Sequence, residues 1–404
     1  MEAIELLSYE SRTAISQTKK CCNLGVYSKA VDETCAKYHL TLSNESPKMR
    51  ISELSMAKWG FTLRQWSAAV TLMILASVTT APAAELETID SPATNTIEAL
   101  RYPGKEMKEG FLNSAKQIEA LIQDDPDEAA NYVGLADVQI FLWCYGFAPH
   151  AEVMPLCETS VKKALELDPN LAAAHTTLGV VLLGQRDWDA AERHLRLGIE
   201  LEPTRAQAQH WYALYLAAMG RHDEARKQSL RSFELDYSSG MTIGRSSILY
   251  FERDWQGMID LLKPTIERDE SYGPAYDWLG MAYVQEQQFD KAIETYRRAV
   301  ELSDSLAEVL AGLGHAYAIS GREEEARQVL DKLHRLAKRW HVPPVQIAFV
   351  HVGLGENQEA IDLLEKAYEQ RSWELVFMQV EPWLDELRTE PRFIALIEKM
   401  KFPK

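Results

Sequence analysis

AYDWLGMAYVQEQQFDKAIETYRRAVEL, residues 275–302, divides at the polar run QEQQ into two stretches, each with apolar residues at helical spacing. In the second stretch Ala292, Ile293, Tyr296 and Ala299 fall on one helical face, with charged residues between them. Two short amphipathic helices joined by a turn cannot bury their apolar faces alone, so the segment predicts neighbours of the same kind.

Those neighbours are present at a fixed interval. The slot of Ala292 recurs as Ala191, Ala225, Met258, Ala326 and Ala360, at steps of 33 or 34 residues. Seven residues further on, a second slot reads Ala164, Gly198, Ser232, Thr265, Ala299, Leu333 and Ala367. In the first half of each unit a large residue precedes a small one: Leu178-Gly179, Tyr212-Ala213, Leu279-Gly280, Leu313-Gly314 and Ile347-Ala348. A large side chain beside a small one is what two closely approaching helices require. Pro169 and Pro203 stand at unit junctions, where a helix must stop.

The period of 34 and the register of Leu279, Gly280, Tyr283, Ala292, Tyr296 and Ala299 resemble the tetratricopeptide repeat (TPR). That resemblance implies an all-α fold, an α-α superhelix of about seven helix-turn-helix units at 126–168, 169–202, 203–236, 237–269, 270–303, 304–337 and 338–371. The first unit has extra residues at YGFAPHAEVM. The fourth is the least regular, with Arg245, Met258 and Tyr237 in its apolar, alanine and proline slots. A linker and leading helix at 85–125 and a capping segment at 372–404, including FIALIEKMKF, should close the open ends. The runs GHAYAISGREEEARQVLDKL and LEKAYEQRSWELVFMQVEPWLDELRTEPRF resemble the C-terminal repeat regions of multidomain bacterial signalling proteins. Those proteins couple such regions to winged-helix, nucleotide-cyclase or kinase domains, and no comparable effector precedes the repeats here.

Residues 56–84 read as a secretory signal peptide or signal anchor. Lys58 and Arg64 precede a charge-free run from Trp66 to Val78, followed by Ala81-Pro82-Ala83. The charge distribution places the repeats on the outer side of a membrane: periplasmic, or on the outer face of the inner membrane. Residues 1–55 form an extension with no readable site, and Met1 and Met56 are alternative starts. A membrane tether through 66–84 is the other reading of the apolar run.

Among 404 residues, 60 are acidic and 43 basic, and after residue 83 the imbalance is 53 against 34. Such a chain lacks the basic face of a nucleic-acid binder and favours basic or neutral partners. No zinc-protease, nucleophile-elbow, phosphate-loop or dinucleotide motif occurs, so no catalytic residue, metal or cofactor is implied. Cys144 and Cys157 flank the first unit's extra residues, where a disulfide and a plain buried thiol are alternatives. The basic run KLHRLAKRWH, residues 332–341, complements the negative end of a helix.

By the TPR resemblance, the first helices of successive units line the concave face. The residues expected there are Thr176, Val180, Leu183, Gln207, His210, Leu214, Ile243, Ser247, Tyr250, Asp277, Met281, Val284, Glu308, His315, Val345, Phe349 and Val352. The row is mostly apolar with a few polar anchors, suited to an apolar or amphipathic partner segment. Cover by neighbouring units or by the C-terminal segment is the alternative, and His210 and His315 read more readily as structural histidines. The function these readings imply is an exported, non-enzymatic scaffold for protein–protein interaction. The alternative is a membrane-anchored sensory component whose effector is on another chain.

Overall fold

The computed structural model describes residues 104–303 and 306–403, all within a compact unit spanning 89–404. The expected leader, tether and N-terminal extension lie outside the described residues. Among the described helices none is long and apolar enough to cross a membrane.

The described residues are all-α. A leading helix α1 (Gly104–Asp124) is followed by seven helical hairpins. They are α2 (Ala129–Cys144) with α3 (His150–Leu167), α4 (Ala172–Gln185) with α5 (Trp188–Leu201), and α6 (Ala206–Ala218) with α7 (His222–Leu235). Next come α8 (Ser239–Phe251) with α9 (Trp255–Arg268), and α10 (Gly273–Gln285) with α11 (Phe289–Leu302). The last two pairs are α12 (Ala307–Ile319) with α13 (Glu323–Ala337), and α14 (Pro344–Gly353) with α15 (Asn357–Gln370). Two 3-10 helices, Trp373–Phe377 and Pro382–Thr389, and α16 (Pro391–Met400) complete the chain.

The recurring small residues are the points of closest helix contact. Ala191, Ala225, Met258, Ala292, Ala326 and Ala360 are all 0% exposed. A Cβ on Gly179 would come within 2.6 Å of Leu195, and one on Gly280 within 2.9 Å of the Tyr296 ring. In these two hairpins the first helix therefore accepts a large side chain from its partner helix against bare backbone. Asp187 and Asp254 cap the second helices of their hairpins by accepting the Ala190 and Gly257 amides.

Two irregularities have physical causes. The surplus of the first hairpin is shared between its helices and its loop: α2 has 16 residues, α3 has 18, and His150–Met154 is helical, with residues 145–149 between them. Pro155 is tolerated because it sits in the first two turns of α3, where little of the amide ladder is lost. In the fourth hairpin Arg245 is half-buried in the apolar slot and Met258 fully buried in the alanine slot, while Tyr237 remains exposed. Cys144 and Cys157 are both free thiols, so they are not a disulfide; Cys157 points its thiol at the Ala136 carbonyl, 3.7 Å away.

Ala292→Leu should overpack the α10–α11 contact and cost on the order of 1–3 kcal/mol. A urea titration monitored by helical circular dichroism should show the lower midpoint.

Candidate functional site

The seventeen residues expected on the inner face lie on α4, α6, α8, α10, α12 and α14, and none of them is exposed. Thr176, Val180, Leu183, Leu214, Ser247, Tyr250, Asp277, Val284, His315, Val345, Phe349 and Val352 are buried. Gln207, His210, Ile243, Met281 and Glu308 are half-buried.

Part of this face is covered by the chain's own C-terminal segment. Arg371 enters the inner face at its first hairpins, where its carbonyl accepts from Trp143 Nε1 at 3.0 Å and its guanidinium donates to the Gly184 carbonyl at 3.3 Å. Trp373 then meets Trp143 and Trp211 edge-to-face, with ring centroids 5.2 and 5.9 Å apart. Phe377 stacks on Phe251 of α8 at 4.6 Å, and Gln379 donates to the Ala218 carbonyl. Tyr250 donates its phenolic proton to Glu381 at 2.5 Å. Trp383 stacks on His315 at 4.4 Å and meets Phe349 edge-on at 5.0 Å. The return helix α16 ends against the second hairpin, with Trp188 Nε1 donating to the Met400 carbonyl and the Trp188 ring stacked on Phe402.

Over Tyr250, His315 and Phe349, then, the inner face is an occupied aromatic cleft and not an open channel. His315 also binds the Phe349 carbonyl through Nδ1 at 2.8 Å, and burial lowers its pKa to about 4. His210, against Gly244, is lowered to about 4 for the same reason. Both rings are neutral packing elements at physiological pH.

The interior also holds several acids. Asp137 of α2 accepts from Thr177 Oγ1 at 2.7 Å and from Gln207 at 3.4 Å; burial raises its pKa, and the Thr177 bond and nearby Arg205 oppose that rise. Glu308 of α12 is half-buried by solvent contact, yet its carboxyl sits deep among protein atoms, and desolvation pushes it up to about 7. Asp277 of α10 is raised by desolvation and then by the charge of Glu308. The segment adds two more acids, Glu374 and Glu381, each pushed to about 7 chiefly by burial. Glu374 accepts from Gln346 Nε2 at 2.6 Å. Sequence reading found Asp277 and Glu308 but missed Trp373, Glu374, Glu381 and Trp383. The available signal was WELVFMQVEPWL, an apolar run rich in aromatics that falls outside the 34-residue register.

Two stretches of the chain match tetratricopeptide repeats. Residues 176–236 match the family model described as tetratricopeptide repeat, and residues 280–321 a model described as TPR repeat. Superkiller protein 3 of Schizosaccharomyces pombe is 24% identical over 285 residues, covering 66% of this chain and 20% of that protein. Superkiller protein 3 of Saccharomyces cerevisiae is 24% identical over 163 residues, 39% of this chain and 11% of the relative. The chain thus spans a fifth or less of these relatives' length. Among solved structures, the APC/C hetero-tetramer Cut9-Hcn1 superposes with a TM-score of 0.50 at 13% identity, over 86% of this chain and 62% of that one. The human IFIT1 dimer with m7Gppp-AAAA gives 0.50 at 13% identity over 83% and 81%. These likenesses bear out the all-α TPR solenoid as the fold.

The buried acids set a pH dependence. Glu308, Glu374 and Glu381 titrate near 7 in the folded chain against 4.5 as free groups, so the folded state binds more protons between those values. Glu308 faces Asp277, and Glu374 faces Glu308, Glu381 and Gln346; Glu381 faces Tyr250, Asp385 and Arg388. The stabilisation is fully present below about 4.5 and is lost as pH rises through about 7. Unfolding midpoints in urea should therefore fall between pH 5 and pH 8, by on the order of a few kcal/mol summed over the three. The triple variant Glu308→Gln, Glu374→Gln, Glu381→Gln should flatten that profile.

Proposed function

We propose that the protein is an exported scaffold for protein–protein interaction, and that its inner face is the surface that engages a partner segment. The observation that carries this reading is that the inner face already holds an amphipathic peptide, its own residues 371–389, through aromatic clefts and single polar anchors. Helical repeats present such a face as one continuous surface, and peptide capture in a groove is its simplest use. The part that remains accessible, around Gln207, His210, Ile243, Met281 and Glu308, is where a partner is engaged. Its mixture of apolar and acidic residues suits an amphipathic segment, and the excess of acidic over basic residues favours a neutral or basic one.

The placement outside the cytoplasm rests on residues 56–84 alone. Sequencing of the accumulated product should give an N-terminus close to Ala84, whereas a product retaining Trp66 to Val78 means a tethered protein.

A photo-crosslinking residue in place of Met281 should capture the same partner in independent preparations from the native host. Ile243→Glu should abolish that capture while leaving the thermal midpoint within a few degrees. The same crosslinker at Lys291, on the exposed outer side, should capture nothing specific. Equal products from Met281 and Lys291 would remove the inner face as the interaction surface.

A further inference from the structure

We propose that the turn closing α13, with Arg335, Lys338, Arg339 and Trp340, docks the protein on an anionic phospholipid surface. This patch belongs to a second helix and the turn after it, outside the inner face, and the proposal stands whether or not that face captures a peptide.

The repeat register itself singles out this turn. Two residues beyond the second small-residue slot, the chain places Glu166, Glu200, Glu234, Glu267, Glu301 and Glu369, all exposed. The sixth hairpin alone has a base there, Arg335, equally exposed. The first four hairpins add a further acid two residues on, at Asp168, Glu202, Asp236 and Asp269. The sixth has Ala337 in that position and continues with Lys338 and Arg339. A cation is favourable at the negative end of any helix, so compensation of the helix dipole predicts bases at all of these ends. The chain instead puts an acid at six of them, and the dipole does not account for the exception.

The patch is cationic, unpaired and tipped by an aromatic ring. The Trp340 amide still bonds to the Leu336 carbonyl at 2.9 Å, so Arg335, Lys338 and Arg339 share one helical face. Residues 337–340 are four consecutive exposed positions, and Trp340 is 54% exposed. Lys108 arrives from the leading helix α1, with Nζ 5.1 Å from the centroid of the Trp340 ring and donating to the Phe147 carbonyl at 3.3 Å. Cations therefore flank the indole from two separate elements. Among the described residues Arg335, Lys338 and Arg339 form no ion pair, and Asp331, one turn before Arg335, does not engage it. Arg327, two turns earlier on the same helix, shows the contrast by taking both Glu323 at 2.7 Å and Glu356 at 2.9 Å.

This chemistry selects a lipid surface. Basic side chains are drawn to anionic headgroups, and an exposed indole seats its apolar body among them. A projecting tip gives an extended acidic segment no groove to lie in. The rest of the molecule sets the orientation: after residue 83 there are 53 acidic against 34 basic residues, so an anionic surface repels the body while it attracts this turn.

The test measures partition of the full chain by sedimentation with sucrose-loaded vesicles of phosphatidylcholine, alone or with about 30% phosphatidylglycerol. Partition onto the anionic vesicles should be at least tenfold stronger, and it should weaken between about 50 and about 300 mM salt as the charges are screened. The triple variant Arg335→Glu, Lys338→Glu, Arg339→Glu gives this turn the acidity of the others and should reduce partition to the phosphatidylcholine level. Arg193→Glu, Arg196→Glu and Lys227→Glu together make the same change in net charge at exposed sites of α5 and α7, and should lower partition less than twofold. Trp340→Ser leaves every charge in place and should weaken anionic partition threefold or more; it decides alone if the patch triple loses its helical circular dichroism. Equal partition onto both vesicles, a control triple that loses as much as the patch triple, or Trp340→Ser binding as the parent does would overturn the proposal. Release of the bound protein by millimolar glycerol 3-phosphate would assign the patch to a free phosphate. Release by micromolar acetyl-deca-glutamate would assign it to an acidic segment. Either result overturns the membrane as its partner.

Discussion

The hairpins hold their shape through contact between a large side chain on one helix and a small residue or bare backbone on the next. Tyr296 against Gly280 and Gly312 is the fullest case, since one ring spans the first helices of two successive hairpins. Leu195 against Gly179 is the same device three hairpins earlier. Close approach fixes the interhelical distance, and repetition at 34 residues turns that distance into a constant pitch. The pitch then aligns the first helices into one inner face, without which the C-terminal segment would have nothing to lie against.

The C-terminal segment is a permanent part of that face. Leu375, Val376, Phe377, Met378, Leu384 and Leu387 are each no more than 6% exposed, and a fully buried apolar side chain is worth about 1.5–3 kcal/mol. The segment runs as two short 3-10 helices, the second opening on Pro382, whose missing amide costs nothing at a helix start. It also brings Glu374 and Glu381 into the interior, where burial raises both.

The fold was legible because its rule is local and repeated: a small residue in the same slot at each unit signals the same contact each time. The inner-face row was legible for the same reason, since a position in the repeat fixes a direction on the helix, and all seventeen residues lie on the first helices. Their degree of cover was not legible. Tyr250, His315 and Phe349 are covered by residues 131, 68 and 34 positions away in the chain, in a segment that does not itself follow the repeat pattern. The free state of Cys144 and Cys157 was equally beyond reach of spacing, because it depends on Cys157 turning its thiol toward the α2 backbone.

The acids of the interior differ in how the surrounding structure treats them. Asp385 is paired with Arg253 and Arg388 and its carboxyl is held below the usual range. Glu192 is paired with Arg221 and takes Tyr212 and Tyr215 as donors, and it too is lowered despite burial. The chain therefore satisfies half-buried carboxylates where they serve the fold. Asp277 and Glu308 receive no such partner, and both are pushed upward. Replacing them with apolar residues of similar volume would relieve the cost, as it commonly does for buried charge.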